Sequence, residues 1–101
     1  MIDGKLNYYF FYKMGELRAN TLSECAFIGS ITLSHGLTEI GERAFYNCRN
    51  LETVVIPETV TKIDRYAFTH SGLKSITLSH GVEIGEGAFH NCHNLVVNHR
   101  N

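Results

Sequence analysis

Three cysteines and six histidines are the side chains of this 101-residue sequence most suited to chemistry. Cys92 stands in His90-Asn91-Cys92-His93 with His99 close behind, and Cys48 stands in Asn47-Cys48-Arg49. Thiolate sulfur and imidazole nitrogen are preferred zinc ligands, so a metal or redox site is the first chemistry to weigh. Zinc needs three or four ligands, and no closely paired ligand spacing of a closed site is present. His70, His90 and His93 could converge on one side of the fold. His35 and His80 hold equivalent turn positions two repeats apart and cannot share an ion. Glu42 and Glu86 are likewise two repeats apart, about 10 Å by strand stacking, close to the carboxylate separation of a glycosidase. No other mark of an active site accompanies them. The serines lack a nucleophile elbow, and the glycines recur with the repeat instead of clustering into a phosphate-binding loop. Arg43, Arg49, Lys62 and Arg65 are interleaved with Glu42, Glu52 and Glu58, and the formal charge is -1. That balance argues against nucleic acid. The expectation is therefore a non-enzymatic chain with no catalytic residue, no metal and no cofactor.

The spacing of these residues is set by a repeat. Ile40-Gly41-Glu42-Arg43-Ala44-Phe45 returns as Ile63-Asp64-Arg65-Tyr66-Ala67-Phe68 and again as Ile84-Gly85-Glu86-Gly87-Ala88-Phe89. Ile31 to Val54 and Phe45 to Phe68 are 23 apart, Leu51 to Leu73 is 22, and Phe68 to Phe89 is 21. Such a period means stacked turns, each burying its apolar side against its neighbours. Within a turn, Leu51, Val54 and Ile56 read as a short strand with alternate residues outward. Val60 and Ile63 form a second inward edge, and Ala67-Phe68 fills the centre. Stacked strands lie about 4.8 Å apart, so Phe27, Phe45, Phe68 and Phe89 should form a ladder. Cys48 and Cys92 fall on an inward repeat position, with Ser71 between them. There cysteine acts as a small hydrophobe, and two layers exceed disulfide reach.

The ends differ from the middle. Residues 1–21 read as an N-terminal cap, a strand or hairpin built on the aromatic run Tyr8 to Tyr12. Leu6, Tyr9 and Phe11 also match the spacing of later strands, so a degenerate first repeat is the alternative. Leu22 to Phe27 mirrors Ile40 to Phe45, which implies a first loop shortened by five residues. Residues 22–97 are the repeats and 98–101 a tail, all within one domain. Asn98 falls in the apolar series of Val54 and Ile76 and reads as a weak polar cap.

These residues resemble the BspA-like subclass of leucine-rich repeats, whose pattern is roughly L-x-x-I-x-L-P-x-x-V-x-x-I-G-x-x-A-F-x-x-C. Leu51, Val54, Ile56, Pro57, Val60, Ile63, Ala67 and Phe68 match it, and Gly41, Cys48, Gly85 and Cys92 complete it in the flanking turns. Departures are Ser34 and Ser79 for proline, Asp64 for glycine and Ser71 for cysteine. The resemblance implies a mainly β fold, a short leucine-rich-repeat solenoid of about three to four layers. It also implies a protein-binding role, with no catalytic residue carried over. Family members are mostly parts of surface or secreted proteins.

Binding would then fall to what does not repeat. Thr32, Thr53, Val55, Ser75 and Thr77 are the outward strand positions and should form a flat face. Tyr8, Tyr9, Phe10 and Tyr12 supply interface-favoured aromatic area. The expected partner is a protein, engaged in the manner of a small inhibitory binder. The alternative is a homodimer through the open C-terminal strand edge, since an unpaired edge invites another chain. The start of the chain lacks secretory-signal features, and no apolar run approaches a membrane span. As given, the chain is expected to be cytoplasmic; as a fragment of a larger family member, surface or secreted.

Overall fold

The computed structural model describes residues 6–10, 16–17, 23–24, 28–33 and 36–99. Among these residues nine strands follow one another: β1 (Leu6–Phe10), β2 (Glu16–Leu17), β3 (Ile28–Leu33), β4 (Glu39–Ile40), β5 (Thr53–Val55), β6 (Lys62–Ile63), β7 (Ser75–Leu78), β8 (Glu83–Ile84) and β9 (Val96–His99). Odd strands form one five-stranded sheet in the order β1-β3-β5-β7-β9, and even strands a second in the order β2-β4-β6-β8. Every pairing is parallel. The chain is thus a parallel β-solenoid, each turn adding one rung to each sheet. Among the described residues there is no helix.

Alternation of apolar and hydroxyl residues makes β3, β5 and β7 two-faced. Ile31 pairs with Val54, and Thr32 with Val55, so one row faces inward and the next outward. Ile31, Val54, Ile76, Leu33, Ile56 and Leu78 are all buried. From the second sheet, Ile40 and Ile63 close the core and are fully buried. The aromatic ladder forms as the spacing requires. Phe45 stacks on Phe68 at 5.0 Å with planes 7° apart, and Phe68 on Phe89 at 5.6 Å and 8°. Phe27, its expected fourth member, lies outside the described residues.

A third wall, between each short strand and the next long one, joins the turns without regular strand. Phe45 N–H donates to the Ala67 carbonyl and Phe68 N–H to that of Ala88, each at 2.8 Å. Ala44, Ala67 and Ala88 are buried there, where backbones of successive turns meet. Two positions per turn adopt the left-handed region. One series is Arg43, Tyr66 and Gly87; the other is Glu24, Asn47, His70 and Asn91, with φ of 62°, 60°, 61° and 61°. Asparagine, histidine and glycine enter this region most readily, which accounts for much of what the wall accepts. Thr69 is buried on this wall, and its hydroxyl donates to the Gly87 carbonyl at 2.6 Å. Thr69→Val keeps the shape and removes the donor, so thermal unfolding should show a loss of about 1 kcal/mol.

Four expectations are corrected by this geometry. First, β1 does not fold back on β2. It runs parallel to β3, while β2 pairs with β4, so the N-terminal strands are a degenerate first turn and not a hairpin. Second, the register of that turn slips between Leu6 and Asn7. Leu6 pairs with Ile28, but Tyr8, not Tyr9, pairs with Ile31, and Phe10 pairs with Leu33; Phe11 lies outside the described residues. Third, the first loop is not shortened. Glu24 N–H donates to the Tyr46 carbonyl as Asn47 N–H does to that of Thr69, so Glu24 is the equivalent of Asn47 and not of Glu42. Fourth, Val97 pairs with Ile76, and Asn98 with Thr77. Asn98 therefore belongs to an outward row and caps nothing.

Candidate functional site

The residues most suited to chemistry are engaged in packing. Cys48 is buried. Cys92 is half-buried; its thiol donates to the Phe68 carbonyl at 3.0 Å and lies 3.3 Å from the Ser71 hydroxyl. Cysteine and serine thus alternate along one inward ladder, where a small side chain fits beneath the aromatic rungs. Among the described residues, no three His, Cys, Asp or Glu side chains are placed to share a metal ion. His70 and His93 do line one groove, without His90. His80 stacks on His99 at 5.3 Å, while His35 lies outside the described residues. Glu42 bonds Arg43 at 3.2 Å and approaches Arg65 at 3.7 Å. The Arg43 guanidinium lies 5.1 Å from the Tyr66 ring centre, so this acid belongs to a surface charge network.

The outer face of the long sheet carries most of the expected binding residues. Thr53, Val55, Ser75 and Thr77 are exposed, and Thr32 is half-exposed. The first four line a shallow depression of about 360 Å³ that also runs along Val54, Ile56 and Ile76, whose side chains are buried in the core. Two rows cross it. Ser30, Thr53, Ser75 and Val96 are in register in one. The other contains Thr32 and Val55, and on the later strands Thr77 and Asn98. Tyr9 shares the register of that outward row, whereas Tyr8 and Phe10 share the registers of buried Ile31 and Leu33. Tyr12 lies outside the described residues. Lys74 and Glu52 approach to 3.6 Å at the rim, exposed enough that the pair adds little stability.

Two further surfaces differ in character from the sheet face. The last turn exposes Ile84 (46%), Val96 (57%) and Val97 (43%) beside the outer edges of β8 and β9. On the opposite, turn-bearing wall lies a polar groove of about 490 Å³ that includes Tyr46, Asn47, Arg49, His70, Asn91 and His93. In the sequence its histidines stand out only as metal ligands and its arginine only as part of a basic stripe. The signal that marks the groove is the residue missing beside Gly72, between the longer loops that carry Arg49 and His93.

No helix among the described residues is long and apolar enough to cross a membrane. None of the curated proteins matches the chain. Among solved structures, the chain is similar to a leucine-rich repeat protein from Bacteroides ovatus ATCC 8483, determined at 1.19 Å resolution. The TM-score is 0.66 at 25% identity, over 94% of this chain and 33% of the other. The chain thus spans about a third of that protein's length. The profile of the BspA type leucine rich repeat region matches residues 6–98 in six copies. With that match running over nearly the whole chain, and parallel turns bearing the repeat's own ladders, the chain belongs to the BspA-type leucine-rich repeat family.

Proposed function

We propose that this chain is a non-enzymatic protein-binding module whose contact surface is the outer face of the long sheet. The observation that carries this reading is the character of the two outward rows. They combine short threonine, serine and valine side chains along a shallow depression, on strands whose other face is locked into the core. Short side chains lose little rotamer freedom when covered, and a rigid sheet needs no reorganisation to receive a partner. Repeat proteins of this kind are commonly interaction modules, which supports the same conclusion. Recognition would be by surface complementarity, with no bond made or broken. A small binder of this type acts by covering a partner's own functional surface, as an inhibitor does.

The test is a charge-neutral replacement of the face. In T53E/V55K/S75K/T77E the Glu and Lys at Thr53 and Ser75 stand in register, so the fold keeps compensating pairs. Affinity capture from host lysate should retain a protein on the parental chain and lose it on the variant, with circular dichroism unchanged. Undiminished retention would move the binding surface elsewhere. A second reading is self-association through the C-terminal end, favoured by the exposure of Ile84, Val96 and Val97 beside two sheet edges. Sedimentation of the same variant separates the two readings. End-to-end assembly survives the change of face, and a monomeric mass at high concentration removes it.

A further inference from the structure

The geometry points to a carboxylate-binding site in the polar groove of the turn-bearing wall, separate from the sheet face and independent of it. The groove exists because the repeat is uneven. Turns carrying Cys48-Arg49-Asn50-Leu51 and Cys92-His93-Asn94-Leu95 have two residues where the turn between them has only Gly72. The middle turn is therefore recessed, and Arg49 and His93 stand on either side of the recess, two turns or about 10 Å apart. His70 and Ser71 of the middle turn line the groove between them.

Every functional group around this recess can donate. Arg49 supplies the guanidinium, Asn47 and Asn91 the amides, Tyr46 a hydroxyl, and His70 and His93 the imidazoles. Among the described residues no Asp or Glu lines it. Glu24, one turn further along the same left-handed series as Asn47, is not among the lining residues. The donors are held in place. Arg49 Nε donates to Asn47 Oδ1 at 3.0 Å, which fixes the guanidinium while leaving its terminal nitrogens. Among the described residues no carboxylate pairs with them. His70 is set by an edge contact with Tyr46 at 5.9 Å and by the Asn91 amide 3.3 Å from its Nδ1.

Charge decides which anion fits. Arg49 brings one guanidinium, which a single carboxylate group matches in charge, whereas a phosphate concentrates up to two charges on one centre. The second group of a dicarboxylate would lie outside the fork. The planar guanidinium fork also suits a carboxylate, which it meets through two parallel hydrogen bonds of about 2.8 Å. The imidazole and amide donors opposite would take the remaining lone pairs. The carboxylate comes either from an acidic segment of a protein or from a free small dicarboxylate.

Amide chemical shifts followed in ¹H–¹⁵N spectra test the site with three probes: sodium glutarate, a capped Gly-Glu-Glu-Gly peptide and inorganic phosphate. The expected result is a saturable response to glutarate or peptide, confined to residues 46–49, 70–71 and 91–93. Tighter binding of the peptide assigns the site to acidic protein segments, and tighter binding of glutarate assigns it to small dicarboxylates. Arg49 is exposed, so Arg49→Gln should fold normally and weaken binding by about tenfold, the loss of one charge-assisted contact. Arg49→Lys should recover only part of it, because the fork is lost. Lys74→Gln, on another face, should leave the affinity unchanged. Tighter binding of phosphate, a response spread equally to Lys62 and Lys74, or full affinity in Arg49→Gln would each overturn the assignment.

Discussion

Phe68→Ala is expected to remove about 3–5 kcal/mol of stability, the range for deleting a buried aromatic side chain. Phe68 is 0% exposed and sits between Phe45 and Phe89 with near-parallel planes on both sides. Its removal opens a void at mid-stack and breaks two ring contacts, each worth about 0.5–1.5 kcal/mol beyond burial. Domains of this size are stable by only about 5–15 kcal/mol, so the variant should unfold at a markedly lower temperature or urea concentration. Phe89→Ala should cost clearly less, because Phe89 is half-buried and has a described ring on one side only. Chemical denaturation of both variants decides the matter. Equal losses would mean that the ladder is not the principal source of stability. Phe68→Leu, which keeps most of the volume, should fall between the parent and Phe68→Ala.

Among the described glycines, Gly72→Ala should be one of the costliest added methyls. A Cβ at this position would press into the Arg49 carbonyl oxygen and come within 3.3 Å of its carbon and 3.5 Å of the Leu51 oxygen. All three are backbone atoms of the turn below, so no side chain can rotate away. The middle loop would have to lift, straining the bond from Gly72 N–H to the Cys48 carbonyl, already 3.4 Å long. Overpacking against such a wall costs about 1–3 kcal/mol, and the immobility of backbone places this case near the top. The comparison is Gly81→Asn. Gly81 has φ of 83°, and a Cβ there would meet nothing within 4 Å, so its constraint is conformational alone. Asparagine tolerates that region, and its cost should stay below about 1 kcal/mol. Thermal unfolding should rank the two in that order, and the reverse order would show that the recess is elastic.

The repeat is legible in the sequence because its inward positions are both apolar and periodic. Ile31, Val54 and Ile76 announce one ladder, and Phe45, Phe68 and Phe89 another, each confirmed by register or ring stacking. Register at the ends is harder to see. A parallel strand can slip one residue at an irregularity, and the slip between Leu6 and Asn7 moves every later residue of β1 into the other row. Tyr8, Tyr9 and Phe10 are all aromatic, so composition does not tell the two registers apart. The Ala26-Phe27 pair imitates Ala44-Phe45 and suggests a shortened loop. The backbone bond from Glu24 to Tyr46 instead restores a spacing of 23, which is also the distance from Cys25 to Cys48. Of the candidate surfaces, Thr53, Val55, Ser75 and Thr77 follow from alternation and do meet on one face. The polar groove does not follow from alternation, because it arises where a residue is lost.

The parallel pairing of every rung also gives the molecule a grain. Bonds between turns, such as those of Phe45 to Ala67 and Phe68 to Ala88, run along the stack, while the covalent chain circles around it. Tension applied along the stack meets these bonds rung by rung and opens the turns as a zipper. Tension applied along the strands must shear a whole ladder at once. The same set of bonds is thus compliant in one direction and stiff in the other, so the yield force of this domain depends on how it is tethered.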